Sequence, residues 1–490
     1  MIRMKVKTMA MLLAFLMIVA GACYFLIPFF LFHTEKYDVL WKWFPRTESA
    51  ESALLLASEA SELVTDSSGD DRIFIFPSSS SSSGGERTGE ERMREINRLE
   101  HLVEQYSTSS YIYGVKFNLG KLYMWNKEWD KAERLFAELE ANVNTGTFHA
   151  DEELRTYQAI LSTRTAIPDK QATITGKVKI GEKPAANVFV ILHRKDARGW
   201  STPPYLHYPV AITDEHGVYR FYDVDANVYE VGVGVTPAEV NGYYLTQSDR
   251  EYVGALEGKT ETYDFQFVPL VSVISPVNKE QLTGDKLLFE WNAYPGADYY
   301  TLSITSIFRI KDGNTVGANT VQLSDERFRG TTAEYSLKEL RGNTLGFGKS
   351  TDSGGNVALS NIGVLGAVYP GGDFIWSVDA YDAGGRKISS SSGYYTSLVR
   401  KTPFFTMPEE GMLAGDRLVI KGEYEEAIAS YKSEGDNDDA LRPLARLIYY
   451  GITKADGDPA EALTYLERVR VPNASDKDLM KQMKEKLEGE

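Results

Sequence analysis

Residues 342 to 351 read GNTLGFGKST, and their types could cradle a phosphate. A phosphate-binding loop sets a glycine, four residues, then Gly-Lys-Ser/Thr, so that successive backbone N–H groups curl round the anion and the lysine reaches it. Counting back from Gly348 puts Asn343 where the first glycine belongs, with Gly342 one residue early. A helix should follow, yet Gly354 and Gly355 stand there, and glycine costs a helix about 1 kcal/mol per residue. The spacing argues against a nucleotide and for a loop of small residues on a β domain.

Other chemistry fares no better. His33, His101, His149, His193, His207 and His216 stand at no zinc-binding spacing and form no HExxH. His149 precedes Asp151, Glu152 and Glu153, which reads as a solvated helix start rather than a metal site. Asp436 to Ala440 begins like a calcium loop, but Ala440 occupies a ligand position and the glycine after it is missing. Cys23 is the single cysteine and lies in an apolar run, so no thiol nucleophile is expected outside that run. No GxSxG elbow occurs. Among 69 carboxylates nothing singles out a glycosidase-type pair. Catalytic, cofactor-binding and metal residues are therefore expected to be none.

The best contact surface is RGWSTPPYLHYPV, residues 198 to 210, where Trp200, Tyr205, His207 and Tyr208 crowd a proline-bearing loop. Rings on a rigid loop can stack on sugars or anchor a protein partner. The competing expectation is that they pack against a neighbouring domain.

A net charge of −16 disfavours nucleic acid and anionic lipid as general partners. Residues 9 to 32 run 24 positions without a charge, and 13 of them are Leu, Ile, Val or Phe. As a helix this run spans about 36 Å at about 1.5 Å per residue, enough for a hydrocarbon core of about 30 Å. Trp41 and Trp43 follow at interfacial depth. Ala20-Gly21-Ala22 resembles a signal-peptidase site and Ala22-Cys23 a lipid-modified cysteine box. The next nine residues stay apolar, however, where a cleaved signal gives way to polar sequence. The expectation is an uncleaved single-pass anchor. Arg3, Lys5 and Lys7 before the span nearly balance Lys36, Lys42 and Arg46 after it. The lack of a disulfide framework suits a bacterial exported body, so the bulk of the chain is placed outside the cytoplasm.

At 490 residues several domains are expected. After a short tail (1–8) and the anchor (9–32), residues 45–165 have helical periodicity, interrupted at 77–91 by a serine-rich run that reads as a flexible surface loop. Leu119-Gly120, Tyr123, Trp129, Ala132 and Phe136 resemble a tetratricopeptide (TPR-like) repeat, in which small residues let two helices approach. Gly415, Leu418, Gly422, Tyr424, Ala427 and Tyr431 repeat these offsets within 408–490, with a degenerate copy around Ala462 and Tyr465. Three or more such repeats make a stable stack, so either the two ends pack together or each docks on the β domains between them. The resemblance implies a groove for a peptide or helix of another protein.

Residues 171–268 switch to a period of two. Gly176, Gly181, Pro184, Val188, Thr213-Asp214, Gly217, Tyr219, Phe221 and Tyr229 resemble the carboxypeptidase regulatory-like (transthyretin-like) β-sandwich. Ala226-Asn227 departs from its usual Pro-Gly. That family implies an accessory module. Residues 271–400 resemble a fibronectin type III-like sandwich, with Trp291 and Trp376 between the sheets, and a long stretch at 308–370 carries the opening loop as decoration. The fold class is thus multidomain α and β: an N-terminal transmembrane helix, TPR-like helices at both ends and two central antiparallel sandwiches. The function expected is membrane-anchored, extracytoplasmic, non-catalytic scaffolding of other proteins at a bacterial cell surface. Cell-wall or carbohydrate binding through the sandwiches is the alternative, and a hydrolase with an unrecognised site comes third.

Overall fold

The computed structural model describes residues 6–59, 70–76, 79–83, 89–141, 151–197, 207–246, 248–342, 348–351, 357–393, 402–451 and 457–488, less 249, 257, 283, 310–315 and 324–325. These form two compact units, the first from residues 1–239 and 248–266, the second from 240–247 and 267–490.

Unit 1 opens with α1 (Val6–His33), α2 (Tyr37–Trp43) and α3 (Glu48–Glu59). Strands β1 (Ile73–Phe76) and β2 (Ser79–Ser83) precede α4 (Gly89–Gln105), α5 (Ile112–Trp125), α6 (Trp129–Glu140) and α7 (Asp151–Ser162). Then come β3 (Ile174–Ile180), β4 (Lys183–Pro184), β5 (Phe189–Arg194), β6 (Val210–Ile212), β7 (Val218–Phe221) and β8 (Asn227–Val235). The strands β9 (Tyr243–Leu245), β10 (Val253–Ala255), β11 (Glu261–Thr262) and β12 (Phe265–Pro269) follow, with β9 and the part of β12 from Phe267 on assigned to unit 2.

One sheet of unit 1 runs β2-β1-β8-β5-β6, antiparallel, with β10 on the other half of the edge of β8 that β1 occupies. The second is built on β3, with β7 antiparallel and β11 parallel to it. Two findings here differ from the sequence reading. Ser79–Ser83 is a strand paired with β1, where a surface loop is expected. The apolar run Ile73–Phe76 pairs with Val233–Val235, about 160 residues on, so the helical segment donates a strand to the sheet that follows it. The exchange explains its four consecutive buried residues: a strand covered on both faces has no reason to alternate.

Helices and sheet in unit 1 share one core. Leu40, Leu54, Ile96, Leu122, Phe136 and Tyr157 pack in a single cluster with Phe74, Phe189, Ile191 and Ile212. Among the helices α5 is the most enclosed, with every residue from Val115 to Trp125 buried. Gly120 is required there, because a Cβ would stand 2.3 Å from Cε1 of Phe136 on α6. The sequence expectation that Gly120 allows a close helix pair is met in this geometry.

Unit 2 continues with β13 (Val273–Ser275), β14 (Glu280–Gln281), β15 (Lys286–Trp291), β16 (Tyr299–Arg309), β17 (Val316–Gln322) and β18 (Thr332–Ser336). Next are α8 (Leu337–Gly342), β19 (Lys349–Thr351), β20 (Val357–Leu359), α9 (Asn361–Leu365), β21 (Asp373–Tyr381), β22 (Lys387–Ser390) and β23 (Phe404–Thr406). Helices α10 (Ala414–Ile420), α11 (Tyr424–Ser433), α12 (Asp438–Tyr449), α13 (Pro459–Leu466) and α14 (Ala474–Glu488) complete it.

The sheet β13-β15-β18 faces the sheet β14-β23-β21-β16-β17. Phe289 of β15 meets Trp376 of β21 at 5.1 Å and Phe405 of β23 at 5.9 Å between ring centroids. Trp291 and Trp376 are both fully buried between the sheets, as their sequence positions suggest. Trp376 donates its Nε1–H to the carbonyl of Pro276 at 2.7 Å, giving its polar edge a partner.

The long stretch 308–370, which carries the Gly-Lys-Ser run, contributes to the core. Its described parts hold α8, α9 and β20, which pack in one core with α10–α14. Leu359 donates its N–H to Tyr424 Oη at 2.8 Å. Each helical group therefore docks on the sheets beside it in sequence. The second hairpin repeats the first: a Cβ on Gly415 would lie 2.4 Å from Cε1 of Tyr431.

Candidate functional site

Of the four aromatic residues expected to form a contact surface, Trp200 and Tyr205 lie outside the described residues. His207 is exposed and Tyr208 half-buried. The Tyr208 ring stands 5.1 Å from His193 on β5 and packs on the unit 1 core. His193 in turn lies 6.2 Å from Phe76. Tyr208 is thus a packing residue, and His207 is the described member that faces solvent.

The Gly-Lys-Ser run is structural. Gly342 ends α8, while Lys349, Ser350 and Thr351 form β19 rather than starting a helix. The Lys349 ammonium is 3.4 Å from the Tyr450 carbonyl and 3.2 Å from that of Gly451. It therefore sits on the carbonyl end of α12, where a cation is favoured.

The acidic stretch at 436–439 is likewise occupied. Asp436 pairs with Arg468 at 2.6 Å and Asp438 with Arg470 at 3.4 Å, and the Asn437 side chain caps the N–H of Asp439. No group of three or more metal-ligating side chains occurs among the described residues. His149 lies outside them.

Unit 1 has an open, largely polar cleft of about 360 Å³. Gln171, Thr173, Asp223, Leu256 and Lys259 line it, with Ala226 at the turn before β8. Gln171 Nε2 donates to Thr260 Oγ1 at 2.8 Å, and that hydroxyl donates to the Ala172 carbonyl at 2.7 Å. Asp223 is ion-paired with Lys170 on the surface. The cleft offers donors and acceptors alongside the apolar side chains of Val224, Ala226 and Leu256, and its wall is more polar than apolar, which suits a small polar ligand.

The buried charges lie elsewhere, at seams between packed elements. Arg72, just before β1, is 1% exposed at its side chain and pairs with Asp70 at 2.7 Å. Its guanidinium carbon lies 4.0 Å from the centre of the Phe189 ring, and Nη2 is 3.5 Å from the carbonyls of Met124 and Trp125 that end α5. Burial raises the Asp70 acid despite that arginine. In unit 2, Arg446 on α12 donates Nη1 to the carbonyl of Val364 and Nη2 to that of Gly342, both at 2.9 Å. These carbonyls belong to the last turns of α9 and α8. The nearest carboxylate oxygen, on Asp476, is 3.9 Å away. Burial lowers Arg446 to about 10, opposed by Asp476.

A third group joins Asp416, whose Oδ2 accepts from Arg341 at 2.7 Å and whose Oδ1 accepts from Tyr431 Oη at 2.7 Å. Burial raises the Asp416 acid against the pull of Arg341. Lys121 of α5 is 8% exposed, lies 4.9 Å from the Phe117 ring centre, and is lowered to about 8 by burial, opposed by Glu153. Sequence reasoning missed these residues because an isolated arginine in a loop or on a helix carries no spacing signal. The one hint for Arg446 is its place among Leu444, Ala445, Leu447 and Ile448.

Among the described residues one helix is long and apolar enough to cross a membrane, and it lies near the N-terminus. On α1, Phe15, Met17, Ile18, Phe25, Leu26 and Phe30 are all more than half exposed. Over half of the exposed large hydrophobic side chains among the described residues fall between Met11 and Phe30. At Leu31 the same helix enters the unit 1 core.

No protein-family model and no curated protein matches the chain. Among solved structures it is similar to a DUF3823 family protein from Bacteroides ovatus, at 12% identity over 45% of this chain and 95% of that one, TM-score 0.15. It is also similar to one from Parabacteroides merdae, at 12% identity over 48% and 96%, TM-score 0.16. A two-domain fibronectin type III segment of chicken tenascin matches at 10% identity over 44% and 85%, TM-score 0.12. These scores are too low to carry a residue, a ligand or a role from those proteins to this chain.

Proposed function

We propose that the chain is a non-catalytic, membrane-anchored scaffold whose two units stand outside the cytoplasm of a bacterial cell and assemble other proteins there. One observation carries the reading: an apolar rod with exposed side chains runs directly into a folded core. Leaving that rod in water is unfavourable, at roughly 25 cal/mol per Å² of apolar surface, whereas a bilayer of about 30 Å accepts it. The buried carboxylates and arginines hold seams together, so their burial has a structural reason that needs no catalytic role, which supports a binding reading. The helix pairs built on Gly120, Ala132 and Phe136 and on Gly415, Ala427 and Tyr431 have the spacing of tetratricopeptide hairpins. Such hairpins present grooves to peptides or helices of other proteins.

A photo-crosslinking amino acid at exposed His207 of the full-length protein, activated in intact cells, tests this reading. Discrete protein adducts absent with the same probe at Val471 are expected. A ladder of glycan adducts at His207 instead would move the reading to cell-wall binding. The polar cleft beside Gln171 and Lys259 supports that second reading, and Gln171→Ala together with Lys259→Ala should then reduce retention of the solubilised protein on purified cell wall.

A further inference from the structure

Helix α2 begins four residues after α1 ends and doubles back along it. Tyr37 at its start packs edge-to-face with Phe32, with 6.3 Å between ring centroids. Phe44 just past its end lies 6.2 Å from Tyr24. Tyr24 is nine residues before the end of α1, about 13 Å along the axis. So α2 lies beside the last turns of α1, on the side from which the chain enters unit 1.

The length of α1 sets the depth of those turns. Its 28 residues make a rod of about 42 Å, longer than a hydrocarbon core of about 30 Å but matched to a bilayer of about 40–45 Å that includes both headgroup layers. Val6 to Tyr24 alone make about 28 Å, close to that hydrocarbon core, and seating them in it places Tyr24 to His33, the stretch α2 packs along, from one hydrocarbon edge out through the headgroup layer. Helix α2 then occupies the same layer.

Its two faces fit that position. Leu40 and Trp41 point into the unit 1 core, and Trp41 donates its Nε1–H to the Ala50 carbonyl at 2.9 Å. One turn apart on the opposite side, Val39 is 43% and Trp43 68% exposed. Lys36, Lys42 and Arg46 are exposed around them, and Lys42 Nζ lies 5.7 Å from the Trp43 ring centre. An outward tryptophan with flanking cations is stable where carbon chains meet phosphate, the place aromatic side chains prefer in membrane proteins.

We propose that α2 is an interfacial foot: its Val39–Trp43 face lies in the headgroup layer of the bilayer that α1 crosses, and it holds unit 1 against the membrane surface. The inference rests on reading α1 as an anchor. Its consequence is mechanical, because α1, α2 and unit 1 then move as one body on the bilayer.

Spin labels test it on the full-length chain in nanodiscs of phosphatidylcholine and phosphatidylglycerol. One label goes on native Cys23. Others go singly, with Cys23→Ala, on Val39→Cys, Trp43→Cys and Val471→Cys, the last being 69% exposed in unit 2. Labels at 39 and 43 should collide more with oxygen than with chelated nickel, as in lipid, and the label at 471 should do the reverse. Nickel accessibility at 39 and 43 equal to that at 471, with Cys23 still in lipid, overturns the foot and leaves the anchor standing. Nickel accessibility at Cys23 itself overturns both. Labels at 39 and 43 shielded from oxygen and nickel alike overturn the foot in favour of a protein cover, such as a second copy. Should Trp43→Cys fail to fold, quenching of native fluorescence by headgroup-proximal brominated lipid decides the matter: Trp43→Phe should lose most of it if the foot is correct, and an unchanged quench refutes it.

Discussion

The hairpin α5–α6 of unit 1 and the hairpin α10–α11 of unit 2 share a skeleton and differ in how they fill it. In each a glycine meets an aromatic ring sixteen positions later, Gly120 with Phe136 and Gly415 with Tyr431. Each places alanine four residues before that ring, and each turns through a left-handed residue seven positions after the glycine, Lys127 at φ 61° and Gly422 at φ 75°. The position after the glycine then divides them. Unit 2 has Asp416, tied to Tyr431 and Arg341. Unit 1 has Lys121 against Phe117, and the facing ring is Phe136, which has no hydroxyl. A single backbone solution thus tolerates either sign of buried charge, provided the neighbours are adjusted together. The seams differ in the same spirit: Arg72 brings its own carboxylate at 2.7 Å, whereas Arg446 relies on the carbonyl ends of two short helices.

That difference at the seams yields the largest expected effect. Arg446→Met leaves the Val364 and Gly342 carbonyls without their donor and should cost unit 2 about 3–5 kcal/mol. Arg72→Met should cost unit 1 less, about 1–3 kcal/mol, because burial already favours the neutral acid of Asp70, which can take up a proton. Hydrogen exchange resolved by peptide reads each unit separately; equal losses would break the contrast.

The shared skeleton is tested by Gly120→Ala and Gly415→Ala, each expected to cost about 1–3 kcal/mol by overpacking. Adding Phe136→Leu should recover part of the loss in unit 1. Adding Tyr431→Leu should not in unit 2, since it strips a hydroxyl from Asp416.

Lys121 sharpens the contrast through pH. Its folded value, about 8, lies below the ordinary lysine value of 10.5, so between these the unfolded chain binds more protons. Unit 1 stability should therefore rise as pH goes from about 8 to about 10.5. Below that window the buried charge is a burden, and Lys121→Met should stabilise unit 1 by about 2 kcal/mol at neutral pH and flatten the slope. A loss of stability in that variant would mean that the Phe117 contact outweighs burial.

The smallest effect belongs to Tyr431→Phe, which makes the second hairpin resemble the first. It should cost about 1–2 kcal/mol, read as faster exchange in α10. No change would show that Arg341 and the Leu413 N–H satisfy Asp416 without the hydroxyl.

These particulars also explain how much of the molecule is legible in its sequence. Gly120, Ala132 and Phe136 were legible because helix contacts repeat at fixed short spacings, and Trp291 and Trp376 because large rings on alternating strands have few places to go. The apolar span at 9–32 is legible by length alone. By contrast, the pairing of Ile73–Ile75 with Val233–Val235 joins segments that local pattern cannot connect, so the strand donated by the helical segment was invisible. Helices α8 and α9 within 308–370 are too short to show a helical period in the sequence, and their value lies in their carbonyl ends. Arg446 takes its meaning from Val364 and Gly342, 82 and 104 residues away.

Protease treatment of intact spheroplasts carrying a C-terminal epitope on the full-length chain tests the central claim most directly. An anchored, outward-facing body predicts loss of the epitope from whole spheroplasts while an N-terminal fragment containing α1 stays with the membrane pellet. An epitope protected until the cells are lysed, or found mostly in the medium, would contradict it.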